Sequence, residues 1–90
     1  MLSEETMKII IKHAKAYDVA AVWLFGSALE GEEQAGDIDL AVEGIDPENL
    51  FDFFLKLFKE VPKTVDLVDL DDEPPLEPII RKQGVKIYER

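Results

Sequence analysis

Apolar residues recur at helical spacing from the start of the chain. Met7, Ile10, Ile11, Ala14 and Tyr17 form one stripe with polar residues between them. Ser3 is placed to cap this helix, and Glu4 and Glu5 fall in a first turn where the helix dipole favours negative charge. Ala20 to Phe25 is then continuously apolar and stops at Gly26, which predicts a strand buried on both faces. Glu30 to Gly36 is polar and glycine-flanked and predicts a loop. Asp37 to Val42 alternates strictly, with Ile38, Leu40 and Val42 on one face and Asp37, Asp39 and Ala41 on the other; this is the pattern of a half-buried strand. Pro47 suits the first turn of a second helix after Asp46 as cap. Leu50, Phe53, Phe54, Leu57, Phe58 and Val61 fill that helix's apolar stripe, and Phe51 and Leu55 widen it beyond what one core face needs. Thr64 to Leu70 predicts a third strand. Pro74, Pro75 and Pro78 hold a turn before a short helix from about Leu76 to Gln83; Gly84 ends it, and Val85 to Tyr88 predicts a final strand. Strands and helices interleave, so the expected class is α/β (α+β): a mixed sheet with helices packed mainly on one face.

Length and charge narrow the picture. Ninety residues allow one domain, residues 1–90, and 47% hydrophobic content is enough to build its core. Twenty acidic against ten basic residues give a formal net charge of -10. Such a field repels nucleic acid and anionic lipid, whose binding rests on Lys and Arg, and it favours metal cations and basic partners. The absence of cysteine excludes a disulfide framework and a thiolate metal site. No signal-like segment opens the chain, and the longest apolar run, Val19 to Phe25, is too short to cross a bilayer. The expectation is a soluble, cytoplasmic protein with neither membrane nor direct nucleic-acid contacts.

Three features carry chemistry. Gly26-Ser27 directly follows the buried strand, Asp37-Ile38-Asp39 lies on the next, and Asp66 lies on the third. Taken singly, a Gly-Ser pair is an ordinary turn and an Asp-x-Asp an ordinary solvated strand face. Together they suit nucleotidyl transfer, where the charge of a triphosphate is met by metal ions held on carboxylates. Two aspartates one residue apart on a strand point the same way, ~6–7 Å apart along the chain, and a third from a neighbouring strand can complete a site for hard cations. Gly26 allows the backbone close to a phosphate, and the Ser27 hydroxyl can donate to it.

The run Leu24-Phe25-Gly26-Ser27, followed after nine residues by Asp37-Ile38-Asp39-Leu40-Ala41-Val42, resembles the signature of the DNA polymerase β-type nucleotidyltransferase superfamily. The length resembles its minimal branch, as do Val65-Asp66-Leu67-Val68 and the ending Gly84-Val85-Lys86-Ile87-Tyr88. The resemblance implies that Asp37, Asp39 and Asp66 are catalytic and hold two Mg²⁺ ions, a place Mn²⁺ can also take. It implies that Gly26 and Ser27 hold a nucleoside triphosphate, ATP above all. It further implies transfer of AMP to an acceptor hydroxyl, on a HEPN-type toxin or a similar basic protein, in an antitoxin role. Asp69 has the opposite strand parity to Asp66 and is expected to face away.

Where members of that family commonly carry two arginines, this chain has Ala28 and Glu30. That difference supports an alternative, a catalytically degenerate module that neutralises a partner by binding alone. His13, the one histidine, lies off the first helical stripe and reads as a surface residue, while Trp23 reads as core. Phe51 and Leu55 read as a partner surface, open to a homodimer or a heteromeric complex.

Overall fold

The computed structural model describes all 90 residues. Helix α1 (Glu4–Ala16) begins where expected: the Ser3 hydroxyl accepts a hydrogen bond of 3.1 Å from the Thr6 N–H, with Glu4 and Glu5 in the first turn. Strands β1 (Ala21–Phe25) and β2 (Ile38–Glu43), helix α2 (Leu50–Glu60), strand β3 (Val65–Asp69), helix α3 (Glu77–Gln83) and strand β4 (Val85–Glu89) follow in the order that the pattern predicts. Strand order across the sheet is β3-β2-β1-β4. Strand β1 runs antiparallel to both β2 and β4, whereas β2 and β3 are parallel, so the sheet is mixed. A parallel pair needs a crossover, and α2 supplies it.

Two-residue alternation along the strands divides the core. Val22, Leu24, Ile38, Leu40, Val42 and Val65 face α1 and α2, where they meet Ile10, Ala14, Phe53 and Leu57. Each such large aliphatic or aromatic side chain removed from water stabilises the fold by about 1.5–3 kcal/mol. On the opposite face the short helix α3 covers less. Ile80 packs there with Ala41 and Leu70, and Trp23, Phe25 and Val68 remain half-buried. The sheet is thus covered mainly on one face. Strand β1, expected to be buried on both, is fully closed only on its α1/α2 side, because seven residues of α3 cover the other incompletely. Trp23 accordingly lies partly in solvent.

Two further expectations are corrected. Strand β2 starts at Ile38, whose N–H donates to the Thr64 carbonyl, and leaves Asp37 in the bend just before it. The buried stripe of α1 is rotated toward Thr6, Ile10, His13 and Ala14, with Met7 and Ile11 only half-buried. His13 is therefore interior, 5% exposed, with Nε2 3.0 Å from Oε2 of Glu60. The cause is tertiary. Helix α2 lies alongside α1, so the flank of α1 that carries His13 is covered as well, and α2 brings a carboxylate to meet it.

Candidate active site

Strand β1 ends at Gly26, where the chain turns with φ +76° into a short 3₁₀ turn spanning Gly26–Leu29. Glycine is required there twice over. The positive φ is strained for other residues, and a Cβ on Gly26 would overlap the Asp39 carboxylate at Oδ2. The sheet register explains the approach, because Phe25, the residue before Gly26, pairs with Asp39 across β1 and β2. Ser27 follows on the surface, while Ala28 turns into the core.

Asp39 also pairs in register with Asp66 across the parallel β2–β3 ladder. Strand neighbours of this kind are about 4.8 Å apart. Asp39 shares the face of Ala41, and Asp66 that of Val68, so both carboxylates rise from the α3 side of the sheet. Asp37 is exposed in the bend two residues before Asp39. The structure therefore gathers Gly26, Ser27, Asp37, Asp39 and Asp66 around one end of β2. Asp69 is not among them; it accepts a hydrogen bond of 3.0 Å from the Asp71 N–H and caps the turn after β3.

The electrostatics of this end are one-sided. Partial burial raises the Asp39 carboxyl above its ordinary pKa, and the charges of Asp66 and then Asp37 push it further the same way. None of the ion pairs in the molecule includes Asp37, Asp39 or Asp66. The other end of the same strand face is the opposite case. Glu43 accepts from Arg81 Nη2 at 3.0 Å and from Trp23 Nε1 at 3.2 Å, and the Arg81 hydrogen bond holds its carboxyl below the ordinary value. Arg81 and Lys86 lie 5.9 and 5.3 Å from the Trp23 ring centroid. Arg81 is taken up by Glu43 and Glu77 and Lys86 by Glu89, which leaves the three aspartates without a cation. Carboxylates alone, hard oxygen donors that repel one another, fit a hard divalent cation. They stand side by side rather than closed, since no three acidic or histidine side chains are drawn to metal-ligating distance.

Two residues that the sequence pattern did not single out hold the loop that delivers Asp37. Lys63 donates from Nζ to the carbonyls of Glu33 and Ala35, at 3.0 and 2.5 Å. Glu32 accepts from the Ser3 N–H at 2.9 Å and from the Thr6 hydroxyl at 3.0 Å, which ties the loop to the start of α1. Partners about thirty residues apart leave no local spacing to read.

Comparison with known proteins gives one family. The family described as Polymerase beta, Nucleotidyltransferase matches residues 7–90. No curated protein matches the sequence. Among solved structures, a chain of a toxin–antitoxin complex crystallised with AMP-PNP is similar, with a TM-score of 0.74 and 26% identity over 93% of this chain and 73% of that one. A chain of a tri-AMPylated Shewanella oneidensis HEPN toxin in complex with its MNT antitoxin aligns with a TM-score of 0.70 and 25% identity, covering 94% of this chain and 71% of that one. A chain from a mutant MntA–HpeT toxin–antitoxin complex aligns with a TM-score of 0.75 and 27% identity, over 100% of this chain and 75% of that one. No helix here is long and apolar enough to cross a membrane. A turn with positive φ pressed on one aspartate, a second aspartate in register beside it and a family match along nearly the whole sequence converge on one conclusion: the chain belongs to the polymerase beta-type nucleotidyltransferase family.

Proposed function

We propose that this chain transfers AMP from ATP to an acceptor hydroxyl on a protein, in the manner of an antitoxin acting on a HEPN-type toxin. The observation that carries this reading is the Asp39–Asp66 pair, in register and unpaired with any cation, with Asp39 pressed against Gly26. Asp37, Asp39 and Asp66 would hold divalent cations, Mg²⁺ or Mn²⁺, which when bound neutralise the triphosphate and the developing charge on pyrophosphate. The turn at Gly26 and Ser27 seats the phosphates: the missing Cβ lets the turn close against Asp39, and the exposed serine hydroxyl is free to donate. Asp66 stands on an edge strand of the sheet, where a protein acceptor can approach. Its carboxylate takes the proton as the acceptor oxygen attacks the α-phosphorus. The bond from that phosphorus to the bridging oxygen breaks, and pyrophosphate leaves.

The similar toxin–antitoxin structures, one crystallised with AMP-PNP and one containing an AMPylated HEPN toxin, support this choice of nucleotide and acceptor. A second reading has one observation in its favour. Ala28 is buried and Glu30 exposed where related sequences carry arginines, so the phosphate side gains no cation from those positions. In that reading the chain binds its partner without chemistry.

One experiment separates the two. ATP with Mg²⁺ is titrated calorimetrically into wild type and into the Asp37→Ala/Asp39→Ala variant, and AMP incorporation is then measured on a HEPN-type toxin. Saturable binding lost in the variant, together with AMP transfer, sustains the enzyme. Toxin neutralisation that survives in Asp39→Asn without AMP transfer sustains binding alone.

A further inference from the structure

Helix α2 carries two apolar stripes. Phe53 and Leu57 are buried against the sheet. One face over, Phe51, Phe54, Leu55 and Phe58 repeat the same i, i+3, i+4, i+7 spacing, with Phe51 68% and Phe58 49% exposed. Leu50, Phe51 and Phe54 line an open apolar groove of about 290 Å³, closed on its far side by Leu67 of β3. One turn further on, the Phe58 ring is half exposed, tilted against Phe54 with centroids 5.6 Å apart. A groove at one end of a stripe and an exposed ring at the other are the two halves of a self-complementary surface.

The charges beside the stripe are ordered in the same sense. Glu48 and Asp52 lie at its N-terminal end and Lys56 and Lys59 at its C-terminal end, all exposed. Two copies laid antiparallel about a two-fold axis near Phe54 and Leu55 bring the acids of each beside the lysines of the other. The same rotation carries Phe58 of each copy to the groove of its mate. Position matters too. The carboxylates of the candidate active site rise from the other face of the sheet, where an acceptor must approach, so the α2 face is left to a different occupant.

We propose that α2 is a homodimer interface, antiparallel, with Phe58 of each copy seated in the Leu50–Phe51–Phe54–Leu67 groove of the other. Both candidate active sites then face outward and stay open. The net charge of -10 opposes approach at long range. At physiological ionic strength the screening length is about 8 Å, so the local acid–lysine pairs decide the contact.

Sedimentation equilibrium over the micromolar to low millimolar range tests this on the full chain. Wild type is expected at twice the monomer mass, and Phe58→Asp at the monomer mass with an unchanged circular dichroism spectrum. Glu48→Lys alone and Lys59→Glu alone should each dimerise at least about tenfold more weakly than wild type, and mixing the two should restore association. A wild type that stays monomeric throughout overturns the proposal, as does a dimer indifferent to Phe58→Asp. Failure of the mixed pair to recover overturns the antiparallel arrangement. A monomeric wild type whose Phe58→Asp variant loses a basic, helical protein partner gives the stripe to that partner instead. Metal-dependent ATP binding, read in the same samples, is expected to be unchanged by Phe58→Asp and reports on the active site separately.

Discussion

Gly26 and Asp39 share a space that admits only one side chain: the glycine has no Cβ, and the aspartate carboxylate occupies the place where one would be. The contact joins the end of β1 to the middle of the site. It predicts that Gly26→Ala is far more damaging than an exposed turn position suggests. The left-handed φ of +76° costs an alanine about 1–2 kcal/mol, and the overlap must also displace Asp39. Urea unfolding should show that loss, and ATP–Mg²⁺ affinity should fall more than about tenfold. A Gly26→Ala protein with wild-type affinity would mean that Asp39 need not stand where it does.

Asp39 predicts an unusual sign for stability against pH. Burial first, then Asp66 and Asp37, raise its folded pKa above the ordinary aspartate value. The folded chain thus binds this proton more tightly than the unfolded chain does. Its contribution is favourable at low pH and is lost as pH rises through the raised value. Asp39→Asn removes the charge and with it that loss. At neutral pH, without metal, the variant should be more stable than wild type by a few tenths of a kcal/mol to about 1 kcal/mol, the scale of like charges on adjacent strands. The difference should vanish toward pH 3 and shrink when Mg²⁺ is added, because a cation relieves the repulsion in wild type alone. Chemical denaturation across pH, with and without Mg²⁺, measures both effects. AMP transfer should be lost in the variant throughout.

The order of elements and the grouping of Asp37, Asp39 and Asp66 were legible because both rest on local rules. Period-two alternation in β2 sets Asp39 on the face opposite Leu40. In α2 the period of 3.6 drew the core stripe too wide: Phe53 and Leu57 are buried, but Phe58, counted in that stripe, is 49% exposed, because only tertiary packing decides where the covered arc ends. The opposite parity of Asp69 was enough to leave it out of the site. What stayed hidden depends on which element lies beside which. The sequence around His13 contains nothing of Glu60, forty-seven positions on, so its burial could not be read from α1 alone. The Gly26–Asp39 overlap follows from pairing register, and the clamps at Lys63 and Glu32 join loop to distant chain. The partial cover of β1 was hidden for the same reason, since it reflects how short α3 is.

The buried His13 predicts a structural role without a catalytic one. Its ring is 5% exposed and lies against Glu60, which also accepts from Lys12 at 3.2 Å. The His13 ring beside it and the Lys12 hydrogen bond hold the Glu60 carboxyl below its ordinary pKa. His13→Ala should cost about 1–3 kcal/mol through lost packing and a broken polar contact. Glu60→Gln, which keeps an acceptor for the ring, should cost clearly less than Glu60→Ala. Thermal and urea denaturation give the stabilities, and AMP transfer per folded molecule should be unchanged in all three. A change in turnover without a change in stability would place His13 in the chemistry after all.

Lys63 offers the last test, because it acts on Asp37 through the loop rather than by contact with a ligand. Its ammonium bridges the Glu33 and Ala35 carbonyls, the second of which directly precedes the bend that holds Asp37. Ala35 is 4% exposed, so the loop is anchored at its C-terminal end by burial as well as by the lysine. Lys63→Met keeps the aliphatic stem and removes the donors. Global stability should fall by about 1 kcal/mol, the scale of one or two hydrogen bonds. Backbone amides from Glu32 to Asp37 should exchange about tenfold faster, since local opening then costs less. Affinity for ATP with Mg²⁺ should weaken by several-fold, because Asp37 must be drawn into place from a looser loop. Lys63→Arg, which retains charge and donors, should recover most of the protection. If exchange accelerates while affinity stays the same, the loop does not position Asp37, and the site is organised by Asp39 and Asp66 on the sheet.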